Sequence, residues 1–72
     1  MDKRSLSIAG HRTSIALEPE FWAALEAMAA EKSQTMAGLI RDIDETRQTN
    51  NLSSAARLAV LQWYRGKVEA SA

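Results

Sequence analysis

The clearest alternation of apolar and polar residues lies near the N-terminus, over residues 11–18. Thr13, Ile15 and Leu17 fall on one side of an extended chain, and the residues between them fall on the other. A period of two with β-branched residues predicts a β-strand. Residues 5–8 also alternate, but a glycine interrupts the run, so they either extend the strand past a bulge or form a loose arm. The pattern therefore predicts one convincing strand, which needs a partner because a lone strand leaves its backbone hydrogen-bonding groups unpaired.

Two helical patterns follow this strand. Pro19 suits a first helical position, and apolar residues at helical spacing predict a helix over residues 19–31. Thr35 is a good N-cap for a second helix, whose amphipathic stripe ends at Ile43. Gly38 lies inside that helix, where glycine costs roughly 1 kcal/mol relative to alanine. It indicates either a close helix crossing, such as a dimer axis supplies, or an ordinary tolerated glycine.

A third helix is predicted over residues 52–66, with Asn50 or Asn51 as its cap. This segment is apolar around most of its circumference, so it needs burial on more than one side. Gly66 is expected to end the helix, and the remaining residues are expected to form a disordered tail.

The length of the chain limits how it can be stabilised. A chain of 72 residues forms one domain at most. Chains this short usually need disulfides, a metal or oligomerisation. The sequence has no cysteine, and its one histidine, His11, cannot build a metal site alone. We therefore expect an oligomer with no metal and no cofactor.

Charge is unevenly distributed although the total is zero. Three basic residues against one acidic give residues 1–17 a net charge of +2; residues 18–45 carry −5 and residues 46–72 carry +3. A basic end can meet a polyanion because phosphate contacts are local; the alternative is a solvated surface of mixed charge. No apolar run reaches the length of a membrane span and no secretory signal is visible, so a cytoplasmic protein is expected.

The order of strand, helix, short loop and helix over residues 12–43 resembles the ribbon-helix-helix family, which includes the Arc and methionine repressors. The strand segment is RTSIAL, the first helix and turn are EPEFWAALEAMAAEKS, and the second helix is TMAGLIRDI. With HRTSIALEPEFW and NLSSAARLAVLQWYR included, the whole chain looks like a bacterial subgroup that has an added C-terminal helix.

The resemblance implies a mostly α-helical fold with one N-terminal β-strand, in an intertwined homodimer whose two strands pair antiparallel across the subunits. It divides the chain into an N-terminal arm (1–10), a ribbon-helix-helix core (11–48), an additional C-terminal helix (49–66) and a tail (67–72). Seven residues are expected to form a core shared between subunits: Ile15, Leu17, Trp22, Leu25, Leu39, Ile40 and Ile43.

The resemblance also implies double-stranded DNA as a partner, with the ribbon in the major groove. The expected base contacts are the outward residues of the strand, Arg12, Ser14 and Ala16. The expected phosphate contacts are the basic N-terminal segment and the N-terminus of the second helix, namely Lys3, Arg4, His11, Ser33, Thr35 and Met36. Short outward residues are also normal on any exposed strand, and alanine offers no side-chain hydrogen bond.

Three functions fit these features. The first is a homodimeric DNA-binding transcriptional regulator, and the resemblance implies that it is a repressor. The second is the antitoxin of a toxin–antitoxin pair, with the third helix as a docking surface for a protein partner. The third is a protein-interaction dimer that has lost DNA binding. An enzyme is not expected. Asp42, Asp44 and Glu45 are predicted on the solvent-exposed face of a helix, and no nucleophile, general base and pocket come together there.

Overall fold

A computed structural model describes residues 1–71 of the chain. Two strands precede three helices: β1 Asp2–Ile8, β2 His11–Leu17, α1 Pro19–Glu31, α2 Met36–Thr46 and α3 Leu52–Ser71. None of the helices within this described part is long and apolar enough to cross a membrane.

The two strands form an antiparallel hairpin within one chain. Asp2 lies opposite Leu17 and Ile8 lies opposite His11. The connection is only Ala9 and Gly10, whose φ angles of 52° and 83° are both positive. Type I′ turns require positive φ at both central residues and match the twist of the flanking strands. The prediction of a single strand preceded by a loose arm was therefore wrong, because a tight turn at the glycine folds the arm back as a second strand.

The prediction for the first helix is confirmed, since α1 begins at Pro19 and ends at Glu31. Its last turn closes in a Schellman arrangement: the N–H of Gln34 donates to Ala29 and that of Ser33 donates to Ala30. Ser33 adopts a φ of 54°, in the left-handed region that favours glycine. The short loop to α2 therefore keeps the geometry of a glycine turn with a serine in its place.

Side-chain caps begin the other two helices as expected. Thr35 Oγ1 accepts a hydrogen bond of 3.0 Å from the N–H of Gly38, and Asn51 Oδ1 accepts one of 3.2 Å from the N–H of Ser54. A Cβ on Gly38 would lie 3.2 Å from the same Thr35 oxygen. The close approach of the Thr35 hydroxyl is thus a local reason for glycine at this position.

The third helix is longer than predicted. It continues through Gly66 to Ser71 instead of ending at the glycine, and Ala72 of the predicted disordered tail lies outside the described residues. Beyond the glycine, Lys67 Nζ lies 2.9 Å from Glu31 Oε2 of α1 and 4.6 Å from the ring centroid of Trp63. The contact with Glu31 of α1 is tertiary and offsets the cost of a glycine inside the helix, which local propensity alone does not include.

A single hydrophobic cluster contains residues from all five elements. All seven residues expected in a shared core are buried in it: Ile15, Leu17, Trp22, Leu25, Leu39, Ile40 and Ile43. The hairpin adds Ile8, and α3 adds Ala55, Ala56 and Val60. The chain therefore covers this core with its own residues, and the C-terminal helix is part of the same domain.

Candidate nucleic-acid interface

The pleat of the hairpin assigns its side chains to two faces. On β2, Ile15 and Leu17 are buried, whereas Arg12 and Ser14 are exposed and Ala16 is partly exposed. This agrees with the alternation predicted from sequence. Because residues directly opposite each other in an antiparallel pair share a face, the register then decides which β1 residues join the outward face.

The register places Ser7 opposite Arg12, Ser5 opposite Ser14, and Lys3 opposite Ala16. We call these six residues the ribbon face. All three β1 members are exposed, and Ser5 Oγ lies 3.4 Å from Ser14 Oγ. The face therefore carries two cations and three hydroxyl groups, and none of its six residues is acidic.

Sequence reasoning missed Ser5 and Ser7 as members of this surface. The available signal was the alternation of SLSI, followed by Ala-Gly and a second alternating run. Such a two-residue connection is a hairpin signal. The strongest forms of this signal have asparagine or aspartate before the glycine. Alanine at that position gives a weaker signal, so the turn was not predicted from the sequence.

Arg4 lies on the opposite face of the hairpin from Lys3. Its guanidinium carbon is 4.5 Å from the ring centroid of Trp22, and its Nη1 is 3.0 Å from Glu26 Oε1 on α1. Arg4 was expected to contact phosphate together with Lys3. In this structure the two basic residues are separated by the pleat, and Arg4 contributes instead to the attachment of β1 to α1.

Trp22 holds the same strand by a second contact. Its side chain is 1% exposed, and its Nε1–H donates a 2.9 Å hydrogen bond to the backbone oxygen of Asp2. A buried indole N–H needs an acceptor, and β1 supplies it. The position of the ribbon face relative to the helices is therefore set by a partnered, buried tryptophan.

His11 is the first residue of β2 and is exposed beside the turn.

At the N-terminus of α2, the Thr35 hydroxyl is engaged as the cap described above, and Met36 packs partly buried against the core. The exposed Ser33 precedes them in its left-handed conformation. A phosphate contact at this helix end would thus come from backbone N–H groups and the helix dipole, the usual anion-binding elements of a helix N-terminus.

Several basic residues outside the ribbon face are paired with the acidic middle of the chain. Arg57 Nη2 lies 3.0 Å from Glu18 Oε1, and Arg47 Nε lies 2.8 Å from Asp44 Oδ1. A hydrogen bond from its own backbone N–H, followed by one from Arg57, lowers the pKa of Glu18. A hydrogen bond from the Lys67 side chain likewise lowers the pKa of Glu31. The Arg57–Glu18 and Lys67–Glu31 pairs join α3 to the two ends of α1, whereas Arg47–Asp44 lies at the end of α2; all three neutralise part of the basic C-terminal charge.

Metal-binding groups are not gathered anywhere in the described residues: no cluster of three or more histidine, cysteine, aspartate or glutamate side chains occurs there. The surface that combines exposure, positive charge and hydrogen-bonding groups on one rigid element is the ribbon face. Its chemistry suits a polyanion whose surface also offers hydrogen-bond donors and acceptors.

Comparison with known proteins identifies a family. The family model described as ribbon-helix-helix domain matches residues 1–64, which include the hairpin, α1, α2 and most of α3. No curated protein and no solved structure matches the chain.

Replacing Arg4 with alanine is expected to lower the free energy of unfolding by about 1 kcal/mol, because both an exposed cation–π contact and a surface ion pair are lost. Lys3→Ala is the matched control on the neighbouring residue and should change stability by less than about 0.5 kcal/mol. Urea unfolding followed by tryptophan fluorescence measures both. Equal stability of the two variants would show that Arg4 does not hold β1.

Proposed function

Because the chain belongs to the ribbon-helix-helix domain family, we propose that it is a DNA-binding transcriptional regulator that places its hairpin in the major groove. Members of the family are generally DNA-binding regulators or antitoxins and are typically not enzymes. The family alone does not choose among these, so the choice depends on what the exposed surface of this chain can bind.

The observation that carries the proposal is the composition of the ribbon face. Lys3 and Arg12 project from a rigid two-stranded element, with small hydroxyl side chains between them and no carboxylate among them. Seven of the nine acidic residues lie on the helices; of the other two, Asp2 lies on β1 outside the ribbon face and Glu18 caps α1. A local positive surface of this kind attracts phosphate irrespective of the net charge of the protein.

Each residue of β2 has a definite role in this proposal. Arg12 can donate two hydrogen bonds to the O6 and N7 atoms of a guanine, Ser14 can bond to several bases, and Ala16 can contact a thymine methyl group. Lys3 contacts backbone phosphate, with His11 beside the turn as an additional polar contact. Backbone N–H groups at Thr35 and Met36, after Ser33, provide a second phosphate contact at the start of α2.

We also propose a homodimer, but through a surface different from the one the sequence suggested. In this structure one edge of β2 pairs with β1, and the core is covered within one chain. The described surface still exposes an apolar stripe on α3, formed by Leu58, Leu61, Tyr64 and Val68. Leu58, Leu61 and Tyr64, together with Phe21 and Ala24 of α1, border an apolar groove.

A second copy of the chain fits this stripe. Two α3 helices packed antiparallel, with Leu58 facing Val68 of the second copy, bring Leu61 and Tyr64 to the two-fold axis. The same register places Arg57, which pairs with Glu18 of its own chain, opposite Glu69 of the second copy, so each guanidinium would lie between two carboxylates at an end of the apolar contact. Such a two-fold interface uses the same patch on both subunits. Two hairpins per dimer would then be available for two half-sites.

DNA binding is tested by fluorescence anisotropy with a duplex selected from a random pool at low salt. Arg12→Ala should weaken binding to the selected site by roughly 1 to 3 kcal/mol. Arg41→Ala is the control, since it removes an exposed arginine from α2 that pairs with Glu45. The logarithm of affinity should fall with the logarithm of salt at a slope of about −2 for a dimer whose two Lys3 side chains each neutralise one phosphate, at about −0.9 per phosphate.

The absence of binding to any duplex in the pool would contradict the DNA-binding proposal, and so would an Arg12→Ala variant that binds as tightly as the parent. Either result would favour the alternative of a protein-interaction dimer that has lost DNA binding.

Sedimentation equilibrium is expected to give twice the chain mass of 7.9 kDa. Leu61→Asp should give a monomer with an unchanged circular dichroism spectrum, because Leu61 is 52% exposed in one chain and is not needed for its core. Gln62→Asp adds the same charge next to the stripe and should leave the dimer intact. A monomeric parent would refute the homodimer and leave the stripe for another protein, as the antitoxin alternative requires. A dimeric Leu61→Asp variant would place the interface elsewhere.

A further inference from the structure

We infer that Arg47 holds α3 against the helices of its own chain, and that two copies of the chain exchange their α3 helices when the contacts of Arg47 are lost. The inference concerns the linker between α2 and α3, which the proposed DNA binding does not use. It gives Arg47 a positioning role, because the side chain acts through the direction in which it turns the chain.

The linker between α2 and α3 consists of residues 47–51. Its first residue, Arg47, has extended backbone angles, with a φ of −65° and a ψ of 146°, so α2 ends where the linker begins. The linker contains neither glycine nor proline, the strongest local markers of a turn. A fully extended segment of this length spans up to about 17 Å, enough to carry α3 away from its own core. The bend of the linker therefore depends on side-chain contacts.

The guanidinium of Arg47 makes these contacts. Its Nε lies 2.8 Å from Asp44 Oδ1 in the last turn of α2. Its Nη1 donates hydrogen bonds to the backbone oxygens of Thr49 and Asn50, at 3.2 and 2.7 Å. Charge-assisted hydrogen bonds are stronger than neutral ones, and the donors of a guanidinium form a rigid fork. One side chain thus ties the end of α2 to two carbonyl groups of the linker and turns the chain back.

The contacts between α3 and the other helices do not specify which chain supplies α3. The apolar face of α3 is buried in the core cluster, and its ion pairs with Glu18 and Glu31 of α1 involve no linker residue. A second copy offers the same core and the same two carboxylates. Exchange of an identical element between copies keeps such contacts and changes only the hinge. The linker, through Arg47, therefore decides whether α3 packs in its own chain.

Carbodiimide crosslinking of Lys67 to Glu31 tests the inference, because it joins an amine and a carboxylate that already lie 2.9 Å apart. Unlabelled and ¹⁵N-labelled protein are mixed in equal amounts, unfolded together, refolded and crosslinked. Mass spectrometry of the linked peptides shows whether both come from one chain. The parent should give linked peptides of a single isotope. Arg47→Ala should give mixed-isotope peptides, approaching about half of the total if exchange is complete.

Two further variants complete the test. Arg41→Ala is the matched control, since it removes an arginine of the same helix whose side chain bonds to Glu45 of α2 rather than to the linker. It should behave as the parent does. Asp44→Ala keeps Arg47 but removes its anchor on α2, so it should give a smaller proportion of mixed-isotope peptides. It also provides the test if Arg47→Ala does not fold.

Three outcomes would overturn the inference. The first is mixed-isotope peptides from the parent, which would show that α3 exchanges despite Arg47. The second is single-isotope peptides alone from Arg47→Ala, or from Asp44→Ala if the first variant does not fold. The third is the loss of the crosslink from a folded variant, which would show that α3 leaves the core without exchanging. None of these results bears on DNA binding, because the crosslink reports only the packing of α3.

Discussion

The burial of Ile15 and Leu17 is the constraint on which the rest of the structure depends. Both side chains are almost inaccessible and lie in one cluster with residues of all three helices. A strand alternates its side chains, so burying these two necessarily turns Arg12 and Ser14 outward. A slip of one residue would put Arg12 and Ser14 into the core and expose the apolar pair. The packing that buries Ile15 and Leu17 therefore also exposes the ribbon face.

β1 extends this constraint to the N-terminus. The Ala9-Gly10 turn sets its register against β2, and the Trp22 hydrogen bond to Asp2 holds its far end against α1. Adjacent basic residues consequently differ in what they can do: Arg4 stacks on Trp22 and pairs with Glu26, whereas Lys3 faces solvent beside Ala16. The pleat thus divides the basic residues of the N-terminal segment between contacts with α1 and the exposed ribbon face.

Sequence patterns predicted the features that local rules control. The alternation of β2, the start of α1 at Pro19, and the caps Thr35 and Asn51 depend on neighbours a few residues away, and all are present. Two features, β1 and the full length of α3, were not predicted because they depend on contacts between residues distant in sequence. β1 depends on pairing through a turn with alanine in place of the favoured asparagine, and α3 continues past Gly66 because Lys67 contacts Glu31. Ser5 and Ser7 were missed at the candidate site for the first of these reasons.

The central claim is that one face of the hairpin serves the core and the other contacts DNA. Amide chemical-shift mapping of the ¹⁵N-labelled protein, titrated with its selected duplex, tests this most directly because it reports on every strand residue at once. The account predicts the largest shifts at Lys3, Ser5, Arg12 and Ser14, with the α3 stripe around Leu61 unaffected. Shifts concentrated on α3 or on the acidic helix faces, with the ribbon face unchanged, would contradict it.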